Sequence, residues 1–224
     1  MTELLYPLYL SFKVAIASTI LIFIFGIALS WLLARKNFFG KNFIDVLLNM
    51  PLVLPPTVVG FFLLYLLGKN GPIGKILAQS MNLTIVFTLA AAVIASFIMA
   101  LPLMIRSCKA AFESVDVRLE NAAKTLGASD WRVFLEVTLP LAWKGILAGL
   151  VMSFARSLGE FGATIMVAGN IPFKTQTAPL AIYSAFQGGN EEQAKLLVLF
   201  MTVLSFVTIW VVNSLSKGKD YANR

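Results

Sequence analysis

Asn121-Ala-Ala-Lys-Thr-Leu-Gly127, with Val137-Thr-Leu-Pro140 ten residues further on, lies in a charged stretch flanked on both sides by strongly apolar sequence. That stretch, Arg106 to Leu139, holds ten of the chain's charged residues, which number 18 basic and 11 acidic in all. Val117, Leu119, Ala122, Ala123 and Leu126 recur within it at helical spacing. Gly127 can take the left-handed conformation that ends a helix, and Ser129 or Asp130 can cap the next one. Pro140 then separates that second helix from the apolar span that follows. The expectation is a helix, a tight bend and a second short helix. The small faces of Ala122 and Ala123 let another backbone approach, with Arg118 and Lys124 beside them. The residues alone leave two readings open: a contact surface for an adjacent protein, or an amphipathic loop resting on lipid headgroups.

The sequence on either side belongs in a membrane. Hydrophobic residues make up 58% of the chain and charged residues 13%, where a soluble domain carries about 25% charged. Apolar runs long enough to cross a bilayer fall at about 10–34, 44–67, 83–105, 142–168 and 195–215. One all-α, polytopic membrane bundle of five transmembrane helices over residues 1–224 is expected, with residues 106–140 as its long loop. The first run exceeds a signal-peptide core, follows Glu3 rather than a basic segment, and is stopped by Arg35-Lys36, so it reads as a retained helix. With no His and one Cys, there is no metal-ligand cluster and no disulfide framework to build.

A net charge of +7 in a membrane chain reports orientation rather than nucleic-acid binding. Placing the N-terminus outside puts Arg35, Lys36, Lys41, the basic residues of the 106–140 loop, Lys144, Lys217, Lys219 and Arg224 in the cytoplasm. That is twelve of the eighteen basic residues, as the positive-inside bias requires. Gly74-Lys75 resembles the end of a phosphate-binding loop, but Ile76 and Lys69 occupy positions that need Ser/Thr and Gly. The chain therefore has no ATPase site or catalytic residue of its own, and any ATP would be hydrolysed by another polypeptide.

Two features lie within the spans. Pro51-Leu-Val-Leu-Pro55-Pro56-Thr57 must kink or break the second span, which lipid tolerates only where neighbours or cavity water satisfy the freed carbonyls. Pro55, Pro56 and Thr57 are therefore candidates to line a route, or a kink used for packing. In the fourth span, Arg156 and Glu160 stand four residues apart on one face. Charges at that depth should pair, either as an internal tie between helices or as an element of an anion path. Gly159 and Gly162, with Ala155 and Ala163, permit close helix approach at a dimer axis or a gate. The connection Gly169 to Gln193 carries a short amphipathic helix around Ala181–Phe186, as a docking surface or a plain connector.

The long loop resembles the EAA loop of ATP-binding cassette importer permeases. That family's pattern is Glu-Ala-Ala, three free positions, Gly, nine free positions and Ile-x-Leu-Pro. Ala122, Ala123, Gly127, Leu139 and Pro140 match at full spacing, Asn121 stands in place of Glu with Glu120 one residue earlier, and Val137 replaces Ile. Met152-Ser-Phe-Ala-Arg-Ser-Leu-Gly-Glu-Phe-Gly-Ala163, Gly169-Asn-Ile-Pro172, the proline segment and Val115–Glu120 are similar to permeases for molybdate, tungstate and sulfate, and Thr175-Gln-Thr-Ala-Pro179 to their molybdate branch. The resemblance runs from about Trp31 to Gln187.

The resemblance implies the type I importer permease fold. It also implies a homodimer in lipid, two cytoplasmic ATPase subunits carrying ATP and Mg, and an extracytoplasmic molybdate-binding protein. The permease itself would hold no cofactor, metal or nucleic acid. Glu120, Asn121, Ala122, Ala123, Lys124, Gly127, Leu139 and Pro140 would couple it to the ATPase. Pro55, Pro56, Thr57, Arg156, Glu160 and Gly162 would form the pathway or gate. A different class stands beside this one, a secondary transporter or channel with no ATPase; such chains show broken helices in both halves, and here only the second span is clearly broken.

Overall fold

The computed structural model describes residues 2–217, and Lys219 and Arg224 of the charge argument lie outside the described residues. Helices account for nearly all of it: α1 (Thr2–Arg35), α2 (Lys41–Asn49) running into a 3-10 turn (Met50–Leu52), α3 (Pro56–Leu67) and α4 (Pro72–Met81), then α5 (Leu89–Glu113), α6 (Val117–Thr125), α7 (Asp130–Val133), a π turn (Phe134–Thr138), α8 (Leu139–Leu158), α9 (Gly162–Ala168), α10 (Ala178–Gln187) and α11 (Glu191–Lys217). Four stretches are long and apolar enough to cross a membrane: Leu4–Arg35, Leu89–Glu113, Asp130–Leu158 and Glu191–Trp210. Lys41–Leu52 and Pro56–Leu67 meet the same measure only together, bent by 112° at the prolines, and make a fifth span if the bent pair is counted as one.

α5 is the centre of the bundle. Its most apolar 18-residue stretch is 56% buried, against 11% for that of α11, and it packs on α1, α8 and α9. Lipid tails offer no hydrophobic drive for this, so the contacts depend on small residues and on hydrogen bonds between helices. Gly149 of α8 is pressed against Ser107 of α5, with 2.9 Å between the Ser107 Cβ and where a glycine Cβ would stand. Ser107 Oγ donates to Gly145 O at 2.8 Å, and Ser30 Oγ of α1 donates to Ile105 O at 3.2 Å. Ala91, Ala92, Ala95 and Ala100 line the buried side of α5. Two core clusters result, one joining α3, α5 and α9, the other joining α1, α5 and α8.

Three expectations need correction. Pro140 does not separate the loop from the fourth span, because Asp130–Leu158 is continuous. A proline supplies no amide to the preceding turn and its ring crowds the carbonyl four residues back. The helix meets this with a π turn, in which the Leu139 amide reaches Phe134 O, instead of a break. The break comes later, at Gly159–Phe161, so the stretch 142–168 is two helices rather than one span. The third span starts at Leu89 rather than near 83. It is preceded by the extra helix α4 and by Asn82 and Phe87 at φ 50° and 60°. The Phe87 amide bonds Val167 O at 3.0 Å, a long-range bond that no local pattern announces.

The α3–α9 crossing is the tightest constraint on the broken span. A Cβ on Gly60 would lie 2.7 Å from Met166 Cβ, 2.8 Å from Ala163 Cα and 2.9 Å from Ala163 O, and one on Gly162 would lie 2.7 Å from Pro56 Cβ. The close approach allowed by Gly162 and Ala163 is thus used inside the chain. Gly60→Leu is expected to force these helices apart at a cost of roughly 1–3 kcal/mol, lowering the thermal midpoint of the detergent-solubilised protein. Gly159→Ala, where the nearest atom is 3.9 Å away, should leave that midpoint unchanged.

Candidate functional site

The loop folds as a capped helix, a bend and the start of the long helix. Asp116 Oδ1 accepts the Arg118 amide at 2.9 Å at the start of α6. At its end Gly127 has φ +88°, and the Gly127 and Ala128 amides return to Lys124 O at 2.9 Å and Ala123 O at 3.1 Å. This is the paired C-terminal closure that a left-handed glycine permits. Ser129 Oγ caps the next helix through the Arg132 amide at 3.4 Å, while Asp130 instead meets Lys124 Nζ at 2.7 Å across the bend. Leu126 is 89% exposed at the tip, and Val117, Leu119 and Trp131 are exposed as well. Asn121, Ala122, Lys124 and Gly127 lie on the exposed surface and Ala123 is half-buried.

Glu120 points the other way. It is buried, with Oε1 at 2.9 Å from Arg35 Nη2 and accepting a hydrogen bond from Thr138 Oγ1 at 2.8 Å. Arg35 Nη2 also donates to Val115 O at 2.9 Å. The carboxylate therefore ties α6 to the end of α1 and to the π turn. Leu139 is half-buried against the second core cluster, and Pro140 is exposed in the first turn of α8. Sequence reasoning missed Arg35 and Thr138, since neither neighbours Glu120 in the chain. It also missed a network joining α2 to α5, in which Lys109 Nζ meets Asp45 Oδ2 at 2.5 Å and Arg106 Nε donates to Asn49 Oδ1 at 2.7 Å.

A second group gathers at the α8–α9 break. Arg156 Nη1 lies 2.7 Å from Glu160 Oε2. Glu160 Oε1 accepts the Ala163 amide at 2.8 Å, which anchors the first turn of α9. Gly162 touches Pro56, so the broken span and the charged pair meet at one place. Pro55 caps α3 and is exposed, as is Thr57 beside it. The loop and this pair are separate sites joined by α8, whose 20 residues span about 30 Å.

Removing Arg35 alone would leave the Glu120 charge buried without its partner, a loss on the order of 3–5 kcal/mol. Arg35→Met is therefore expected to loosen α6, detected as faster proteolysis after the loop's basic residues and a lower thermal midpoint. Arg35→Met combined with Glu120→Gln should be milder than Arg35→Met alone, and a double-variant loss equal to the sum of the two single losses would show that the pair carries no coupling energy.

Comparison with known proteins adds independent findings. Residues 26–220 match the family described as binding-protein-dependent transport system inner membrane component. The molybdenum transport system permease protein of Haemophilus influenzae is 50% identical over 209 residues, covering 93% of this chain and 91% of that protein. A probable sulfate transport system permease protein of Chlorella vulgaris is 33% identical over 191 residues, covering 85% of this chain and 71% of that one. Among solved structures, a bacterial ABC transporter involved in import of the polysaccharide alginate superposes with a TM-score of 0.78 at 16% identity, covering 97% of this chain and 80% of that one, which speaks for the fold. A family match over residues 26–220 and a relative half identical and aligned nearly end to end carry one conclusion: the chain belongs to the family of binding-protein-dependent transport system inner membrane components.

Proposed function

We propose that this transport component is the permease subunit of an ATP-driven importer that carries molybdate, with tungstate, into the cytoplasm. The observation that carries the reading is the loop: a capped helix presents Ala122 and Leu126 outward while Glu120 fastens its other face to the transmembrane helices. A lipid-resting loop would need no such tie. The higher identity to a molybdenum permease than to a sulfate permease supports the cargo.

The assembly in this reading holds two copies of the chain, two cytoplasmic ATPase subunits with ATP and Mg, and an extracytoplasmic molybdate-binding protein. The N-terminus lies outside and the C-terminus in the cytoplasm. Asn121, Ala122, Ala123, Lys124 and Gly127 form the coupling surface, held by Glu120 and continued by Leu139 and Pro140 into α8. Pro55, Pro56, Thr57, Arg156, Glu160 and Gly162 form the pathway or gate. ATP binding draws the ATPases together, α6 follows, and α8 carries the displacement to the break. Metal ions act only on the partner ATPase.

In proteoliposomes containing the whole assembly, molybdate-loaded binding protein is expected to stimulate ATP hydrolysis more than sulfate-loaded protein. Stimulation by the sulfate form alone would reassign the cargo. Gly127→Val tests coupling separately. Nothing lies within 4 Å of a Cβ at that position, so its cost is the left-handed backbone, about 1 kcal/mol or more. Together with Ala123→Arg it should weaken ATPase association and abolish uptake at normal membrane levels, and full uptake in both would return the loop to the lipid surface.

A further inference from the structure

Arg156 and Glu160 are unequal partners. The Glu160 side chain is 1% exposed and that of Arg156 30%, so the carboxylate is fixed inside the bundle while the guanidinium reaches its surface. Nη1 lies 2.7 Å from Oε2, yet no N–H is aligned on that oxygen, which has no hydrogen-bond partner. The other oxygen is taken by the Ala163 amide. An ion pair built for strength uses the guanidinium fork on both carboxylate oxygens. This one sets a single guanidinium nitrogen against one carboxylate oxygen and leaves the rest of the fork uncommitted. Ser157 in α8 and Thr164 in α9 add two buried hydroxyls without partners on either side of the break.

We propose that Arg156 is the residue that meets the oxyanion inside the membrane, and that Glu160 is a positioning counter-charge that keeps the contact weak enough to release. The proposal rests on the oxyanion-permease reading. Five N–H donors in a planar fork match the oxygens of a tetrahedral dianion. A lone guanidinium at this depth is costly and would hold a dianion too long, whereas transit needs binding favourable enough to enter and weak enough to leave. With Glu160 in place the site is neutral at rest. An arriving anion gains the fork and is repelled by the carboxylate beside it.

The test is equilibrium dialysis of radiolabelled molybdate, tungstate and sulfate against the intact permease–ATPase assembly in detergent, without binding protein, alongside uptake in proteoliposomes. Glu160→Gln keeps an oxygen for the Ala163 amide and removes the charge. It is expected to tighten binding by about tenfold or more, since removing one like charge next to the anion relieves at least the repulsion two such charges have in water, while uptake falls. Arg156→Gln should abolish binding with or without Glu160→Gln. A pair that only held helices together would lose assembly stability in Glu160→Gln and gain no binding of any of the three anions, which would overturn the proposal. If Glu160→Gln does not assemble, Arg156→Lys decides: it keeps the charge but not the fork, so binding should drop several-fold, and unchanged binding overturns the proposal. A gain seen with tungstate or sulfate but not molybdate keeps the role of Arg156 and removes the cargo assignment. Stimulation by molybdate-loaded binding protein with no gain for any anion does the reverse.

Discussion

One carboxylate oxygen, Oε1 of Glu120, ties the loop between α5 and α8 to the rest of the molecule. It faces Arg35 Nη2 at 2.9 Å and accepts the Thr138 hydroxyl at 2.8 Å, so α1, α6 and the π turn share a single polar junction. A buried ion pair is weak evidence for stability, because desolvation offsets much of its attraction. Its value here lies in position. The alternatives, a loop free to swing or a loop sealed by apolar packing, would respectively lose the displacement or expose nothing to receive it. Thr138 lies at the end of the π turn, one residue before α8 begins, so in the proposed coupling a push on α6 would reach the long helix at its root.

In the proposed coupling, such a push would travel along α8. α8 runs unbroken to Leu158 because the π turn absorbs Pro140, and it lies against α5 through Gly145 and Gly149. Close glycine contacts of this kind have little room to slide, so α8 and α5 move together or not at all. Beyond Leu158 the chain is interrupted, and the charged pair, the start of α9 and the first turn of α3 meet there. The continuous helix from the loop thus ends where the broken span crosses it.

Much of this was legible in the sequence. The apolar runs place the membrane segments, Gly127 marks the bend, the three prolines mark the broken span, and the spacing of Arg156 and Glu160 predicts their contact. Each is a local signal, readable within one or two turns. What was not legible depends on distant partners. Glu120 drew notice only as the residue before Asn121 in the loop pattern, and its tie to Arg35, 85 residues away, leaves no local sign. The start of α5 depends on a bond from Phe87 to Val167, and the continuity of Asp130–Leu158 depends on a π turn that proline statistics alone would count as a break. Gly162 was read for helix contact without its partner, Pro56 of the same chain.

The central claim, that the tip of this loop is where an ATPase subunit touches the permease, can be tested by one crosslink. The chain has a single cysteine, Cys108, which is buried, so Leu126→Cys creates one accessible thiol at the most exposed point of the bend. Labelled with a short photo-crosslinker in native membranes, this position is predicted to give an adduct with the ATPase subunit whose yield changes when ATP is added. An adduct with lipid alone, at normal membrane levels and with uptake intact, would contradict the account.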